Sequence, residues 1–181
     1  MRYFKKIDIV YLSEIIEGTL KYLKTEVPDI YGRTYNTTYY PLELTKLLEY
    51  CPQLLTAFDE YGLKCNLAVA YIMYNNYHSS IHIDAYTHDA RINIPIENCE
   101  GTKTLFFIGG KYENVHNSMT KTNAKKIKST ENLKLVDYVE INQPTVVRVN
   151  EPHTVVMDMK RVPRITLSLG FDVDPVFLLE D

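Results

Sequence analysis

The sequence predicts a mainly β domain with N-terminal helices, its core a jelly roll of about eight antiparallel strands. Two patterns predict it. Up to about residue 64 apolar residues recur at helical spacing, and from about Asn66 onward the chain breaks into short segments rich in Val, Ile, Tyr, Phe and Thr divided by turn residues. The 181 residues, 45% of them hydrophobic and 24% charged, suit one globular domain with a sizeable core and leave little for a second.

Taken in order, Tyr11, Ile15, Ile16, Leu20 and Leu23 form the stripe of an amphipathic helix, with Ser13 and Glu14 near its start. Pro41 suits the first turn of a second helix through Leu42, Leu44, Leu47 and Leu48. Pro52 opens a third, carrying Leu54, Leu55 and Phe58, with Gly62 as its stop. Residues 1–64 therefore read as a helical scaffold layer and 65–174 as the strand core of a single 1–181 domain. Strands are expected at 67–74, 81–86, 91–96, 103–108, 135–141, 145–150, 153–157 and 164–171. A polar stretch near 110–132 reads as a solvated insertion or mobile loop, with a substrate-facing lid as the alternative.

Twenty Lys and Arg against 23 Asp and Glu give a net charge of −3, so no general basic field draws the protein to nucleic acid or anionic lipid. Only the run holding Lys121, Lys125, Lys126 and Lys128 could touch a phosphate backbone locally. The apolar runs fall short of the roughly 18 residues of a membrane helix. Asp8 and Glu14 interrupt what would have to be the apolar stretch of a secretion signal. Cys51, Cys65 and Cys99 are odd in number and widely spaced, neither a disulfide framework nor a paired metal motif, which predicts a reducing cytoplasm.

The chemistry-bearing segment is Ser80-Ile-His-Ile-Asp-Ala. His82 and Asp84 lie two apart on an expected strand and so share a face, with Ile81, Ile83 and Ala85 on the other. Burying two such groups is costly unless they are hydrogen-bonded, paired or bound to a metal. On this segment alone, an exposed edge where both meet water fits equally well. Two further features tilt the balance: His153 opens a strand after a Pro-stiffened turn, and Arg164-Ile-Thr-Leu-Ser places Arg164, Thr166 and Ser168 on one face. A guanidinium beside hydroxyls suits a carboxylate, which Arg binds bidentately.

The order His-x-Asp, a second His 69 residues later and an Arg 11 residues after that, on a β-rich C-terminal portion, resembles the iron(II)/2-oxoglutarate-dependent oxygenase superfamily. The resemblance spans about residues 66 to 171, with Pro163-Arg-Ile-Thr-Leu-Ser-Leu-Gly-Phe similar to the family's Arg-x-Ser/Thr element and Thr166 in place of the commoner Ser. It implies a double-stranded β-helix of the cupin kind. It further implies His82, Asp84 and His153 as the facial triad on Fe(II), with three positions left open, Arg164 on the distal carboxylate of 2-oxoglutarate and Thr166 assisting. Arg161 is the alternative for the anion role; the alternating strand begins only after Pro163, which favours Arg164. Tyr71 and Tyr74 lie where the family often places a group that bonds the cosubstrate, although strand tyrosines also serve plain packing. Arg91 and Asn93 share a face of the next strand and resemble pocket positions of the prolyl-hydroxylase and aspartyl/asparaginyl-hydroxylase types.

The expected activity is hydroxylation of a C–H bond in a small-molecule or peptidyl substrate, with 2-oxoglutarate and oxygen converted to succinate and carbon dioxide. Two rivals stand beside it. One is a cupin-type or hydrolytic metalloenzyme using His82, Asp84 and His88, with His78, and no 2-oxoglutarate. The other is a non-catalytic jelly-roll binding module.

Overall fold

The computed structural model describes residues 1–27, 30–31, 37–74, 79–84, 87–117, 122–157 and 162–180. Among them are twelve strands in two six-stranded antiparallel sheets, with few helices. The first sheet runs β1 (Phe4–Lys6), β10 (Thr145–Arg148), β5 (Ala90–Glu97), β12 (Arg164–Phe171), β3 (Cys65–Met73) and β2 (Thr37–Pro41). The second runs β7 (Lys111–Asn117), β8 (Thr122–Ser129), β4 (His82–Asp84), β11 (His153–Met157), β6 (Thr102–Ile108) and β9 (Lys134–Glu140). No described helix is long and apolar enough to cross a membrane.

All eight expected strands are present, within a few residues at their ends; the tail of the 81–86 segment lies outside the described residues. The helical N-terminal layer needs correction. Helix α1 (Leu12–Glu26) covers the predicted stripe from Ile15 onward and buries Ile15, Tyr22 and Leu23, while Tyr11 precedes it at φ 61° and is exposed, with Glu14 in its first turn and Lys24 in its last, as the helix dipole favours. Pro41, however, closes strand β2 opposite Val69, and helix α2 starts only at Leu44. An edge strand tolerates a proline because one rim of it has no ladder to serve. The segment from Pro52 forms two short 3₁₀ turns, Pro52–Leu55 and Asp59–Tyr61, in place of a third α-helix. Strands β1 and β2 carry too few alternating apolar residues to be read locally; each exists because it completes an edge of the first sheet.

The 110–132 stretch is a β-hairpin, not a loop. Gly109 and Gly110, at φ 80° and 79°, make the turn into β7, and a Cβ on Gly109 would strike the Asn132 carbonyl. β7 and β8 then pair over their whole length, and β8 docks on β4. Their Lys, Asn and Glu side chains leave neither face apolar enough to show a period of two. Backbone pairing joins them, with the Lys128–Glu113 ion pair and the His116–Asn123 contact across the ladder.

Alternation along the central strands sorts the molecule into two interiors. Ile165, Leu167 and Leu169 join Ala68, Ala70, Ile72, Ile92, Ile94 and Ile96 on one face of the first sheet, packed with Ile15, Leu23, Leu47, Leu54 and Phe58. The opposite face carries Arg164, Thr166, Ser168, Arg91, Asn93 and Tyr71, brought side by side by the pairs Arg164 with Met73, Thr166 with Tyr71 and Ser168 with Asn93. That face looks at the second sheet, since Val147, on the same rung as Arg91, packs with Phe106 and Val139 in a small inter-sheet cluster. The helix side is thus a dry core and the inter-sheet side is largely polar.

Candidate metal centre

His82 and Asp84 stand on β4, between β8 and β11. The single rung joining β4 to β11 pairs His82 with His153, and the next pairs His153 with Phe106, so both imidazoles share the inner face with a residue of the inter-sheet cluster. The two imidazole rings lie 4.4 Å apart, centroid to centroid. One ligating atom from each of His82, Asp84 and His153 lies within 4.8 Å of the other two. Among the described residues this is the set of His, Cys, Asp and Glu side chains that converges on one point. An ion about 2.0–2.2 Å from each donor would draw the three closer together.

Local backbone contacts prepare these rings. His82 Nδ1 is 2.7 Å from the Ser80 carbonyl and His153 Nδ1 is 2.8 Å from the Glu151 carbonyl. A carbonyl only accepts, so each Nδ1 carries the proton and, in the neutral ring, each Nε2 presents a lone pair. The two histidines thereby use the same device, a bond to the carbonyl two residues upstream. His82 Nε2 then sits 3.5 Å from an Asp84 carboxylate oxygen. Two acceptors at that distance repel unless a cation, a proton or a metal ion, lies between them. His153 is 5% exposed, and burial, followed by the neighbouring His82, lowers its pKa to about 4 against the opposing pull of Asp84. Its imidazole stays neutral at physiological pH.

Arg164 is 3% exposed. Its Nε has no hydrogen-bond partner, its Nη1 meets the Met73 sulfur at 3.5 Å, and no described carboxylate pairs with it. Burial pushes its pKa down, with the Cys99 thiol opposing. A buried guanidinium without a counter-ion costs several kcal/mol. Thr166 is buried on the same face, its hydroxyl 3.6 Å from Cys99 Sγ. The Asn93 Oδ1 is a second inaccessible polar atom without a partner on this face. Arg91, 9% exposed, lies against Gly170, where any Cβ would collide with its guanidinium.

Tyr71 pairs with Thr166 and packs edge-on against Tyr39, with ring centroids 5.5 Å apart. Tyr74 is different. It lies on the helix side, buried in the dry core with its hydroxyl donated to the Ile30 carbonyl at 2.7 Å, so an expected cosubstrate contact is a packing residue. Tyr71 and Tyr74 are three residues apart, an odd step that puts them on opposite faces. His88 bonds Thr87 and is not in the convergent set. His78 and Arg161 lie outside the described residues. Sequence reasoning missed Cys99 and Met73, the sulfur neighbours of Arg164; Cys99 sits beyond the end of β5 with no motif to mark it.

No model of a known protein family matches the chain, and no curated protein matches it.

Proposed function

We propose that the protein is an iron(II)- and 2-oxoglutarate-dependent dioxygenase of the jelly-roll oxygenase superfamily. One observation carries the reading: the inner, inter-sheet faces hold both a two-histidine, one-carboxylate cluster and a buried guanidinium with an unpartnered Nε. The strand order supports the double-stranded β-helix, because β3, β5, β10 and β12 fall in one sheet and β4, β6, β9 and β11 in the other. The donor set fits the metal: imidazole and carboxylate suit non-haem iron(II), and three protein ligands leave positions for cosubstrate and oxygen.

His82, Asp84 and His153 would hold the ion, the two carbonyl-tied Nδ1 atoms fixing which nitrogen faces it. Arg164 binds and orients the distal carboxylate of 2-oxoglutarate, which supplies its missing counter-ion, and the Thr166 hydroxyl donates a further bond. Iron with 2-oxoglutarate supplies oxidative decarboxylation and C–H hydroxylation, yielding succinate and carbon dioxide. The residues of the chain bind, orient and exclude water. A small-molecule or peptidyl substrate in a reducing cytoplasm completes the reading, the latter in keeping with three free cysteines.

Anaerobic titration with iron(II) and 2-oxoglutarate tests it. The expected result is a weak visible charge-transfer band that vanishes on admitting oxygen as succinate forms. Metal bound without that band would favour the cupin or hydrolase reading, and no metal at all would favour a binding module.

A further inference from the structure

We infer that Cys99 is a peroxide-sensitive modification site whose oxidation fills the anion pocket of Arg164. The inference rests on the reading of Arg164 as the carboxylate-binding residue and adds regulation to it. Cys99 is 6% exposed, and its Sγ lies 3.1 Å from the Ile165 carbonyl, 3.4 Å from the Glu97 carbonyl and 3.6 Å from the Thr166 hydroxyl. The Arg164 guanidinium, two residues from that Thr166 hydroxyl on the same strand face, feels the thiol electrostatically, and its Nε is buried and unpartnered. The neighbours described for that guanidinium are thus two sulfur side chains, Cys99 and Met73. Neither supplies the oxygen anion that a buried arginine calls for.

Hydrogen peroxide supplies one. The Cys99 sulfur attacks a peroxide oxygen, an S–O bond forms as the O–O bond breaks, and the departing hydroxide takes the thiol proton. The thiol is oxidised by two electrons to the sulfenic acid and the peroxide is reduced to water. The new oxygen stands beside Arg164 and Thr166, where its ionised form pairs with the guanidinium and competes with any incoming carboxylate. A thiol reductant restores the pocket. Cys51 and Cys65 serve as internal comparisons, since their thiols face the Ile15 and Leu67 carbonyls and oxygen added to either would leave the Arg164 pocket open.

The test treats metal-free protein with hydrogen peroxide, removes the excess with catalase, traps sulfenic acid with dimedone in one portion and maps the adduct by mass spectrometry. Iron(II) and 2-oxoglutarate are then added anaerobically to the untrapped portion. Cys99 is expected to carry the adduct ahead of Cys51 and Cys65. The dissociation constant for 2-oxoglutarate should rise about tenfold or more, as expected for a blocked charge-assisted bond, and return on reduction. In Cys99→Ser and Cys99→Ala proteins, peroxide should leave that constant where it was. No adduct at Cys99 under conditions that label a free thiol would overturn the inference, as would an adduct with cosubstrate binding unchanged. Untreated protein that never binds 2-oxoglutarate would instead defeat the functional reading, while the adduct map still reports on the reactivity of Cys99.

Discussion

Both imidazoles of the cluster are oriented by a carbonyl two residues upstream, from Ser80 for His82 and Glu151 for His153. Short local bonds of this kind set the tautomer before any ion arrives, so each ligand forfeits little freedom on binding. His153→Ala should therefore lose metal affinity by at least about 100-fold, more than the loss of a group that only orients a donor usually costs, whereas His88→Ala should bind metal as the parent does. Isothermal titration with iron(II) or a redox-inert divalent ion reads both, and loss in His88→Ala with His153→Ala unaffected would support the rival cluster around His88. Arg164 makes the opposite trade. Its side chain is buried without a described carboxylate, so Arg164→Met should leave the unfolding free energy unchanged or raise it by up to about 1–4 kcal/mol, read by chemical denaturation. The same variant should weaken 2-oxoglutarate binding about 100-fold while metal stays bound. A large loss of stability would make Arg164 a structural residue.

Strand β12 separates the two interiors: Ile165, Leu167 and Leu169 serve the dry core, and Arg164, Thr166, Ser168 and Gly170 serve the polar space between the sheets. Every residue of this strand is buried, which is why its apolar half reads plainly in sequence while its polar half reads as an anomaly that needs a ligand. Gly170 belongs to that polar half through its contact with Arg91. Gly170→Ala should force the guanidinium aside and cost about 1–3 kcal/mol, measured by chemical denaturation, as overpacking does. Metal binding should survive, because all three donors stand on the other sheet. Loss of metal in this variant would mean that Arg91 positions the cluster.

At the scale of the molecule, β4 is three residues long and held between two neighbours, β11 through one rung and β8 through three. The hairpin β7–β8 is therefore the larger support of the strand that carries two of the three donors. Replacing residues 111–129 by a short turn should leave the first sheet intact by circular dichroism yet lower metal affinity about tenfold or more, the size of a lost orienting shell. Unchanged affinity would make the hairpin a peripheral addition. The far edge of the same sheet, β9, shows Leu135, Val136 and Tyr138 to solvent.

The eight core strands and the shared face of His82 and Asp84 were legible in sequence, because a period of two and a spacing of two are local properties that survive whatever surrounds them. So was the pairing of Arg164 with Thr166 on one face. Four things belong to tertiary structure. His153 reaches His82 only because β11 pairs with β4 across 71 residues of chain. The docking of the hairpin at 111–129 on β4 and the edge strands β1 and β2 depend on backbone pairing with partners distant in sequence, which side-chain patterning does not record. The odd spacing of Tyr71 and Tyr74 already puts them on opposite faces, but which face packs on the helices, and so which tyrosine lies beside Thr166, is decided by the tertiary structure. Cys99 meets Arg164 because the end of β5 lies against the start of β12, a contact that burial and register decide together.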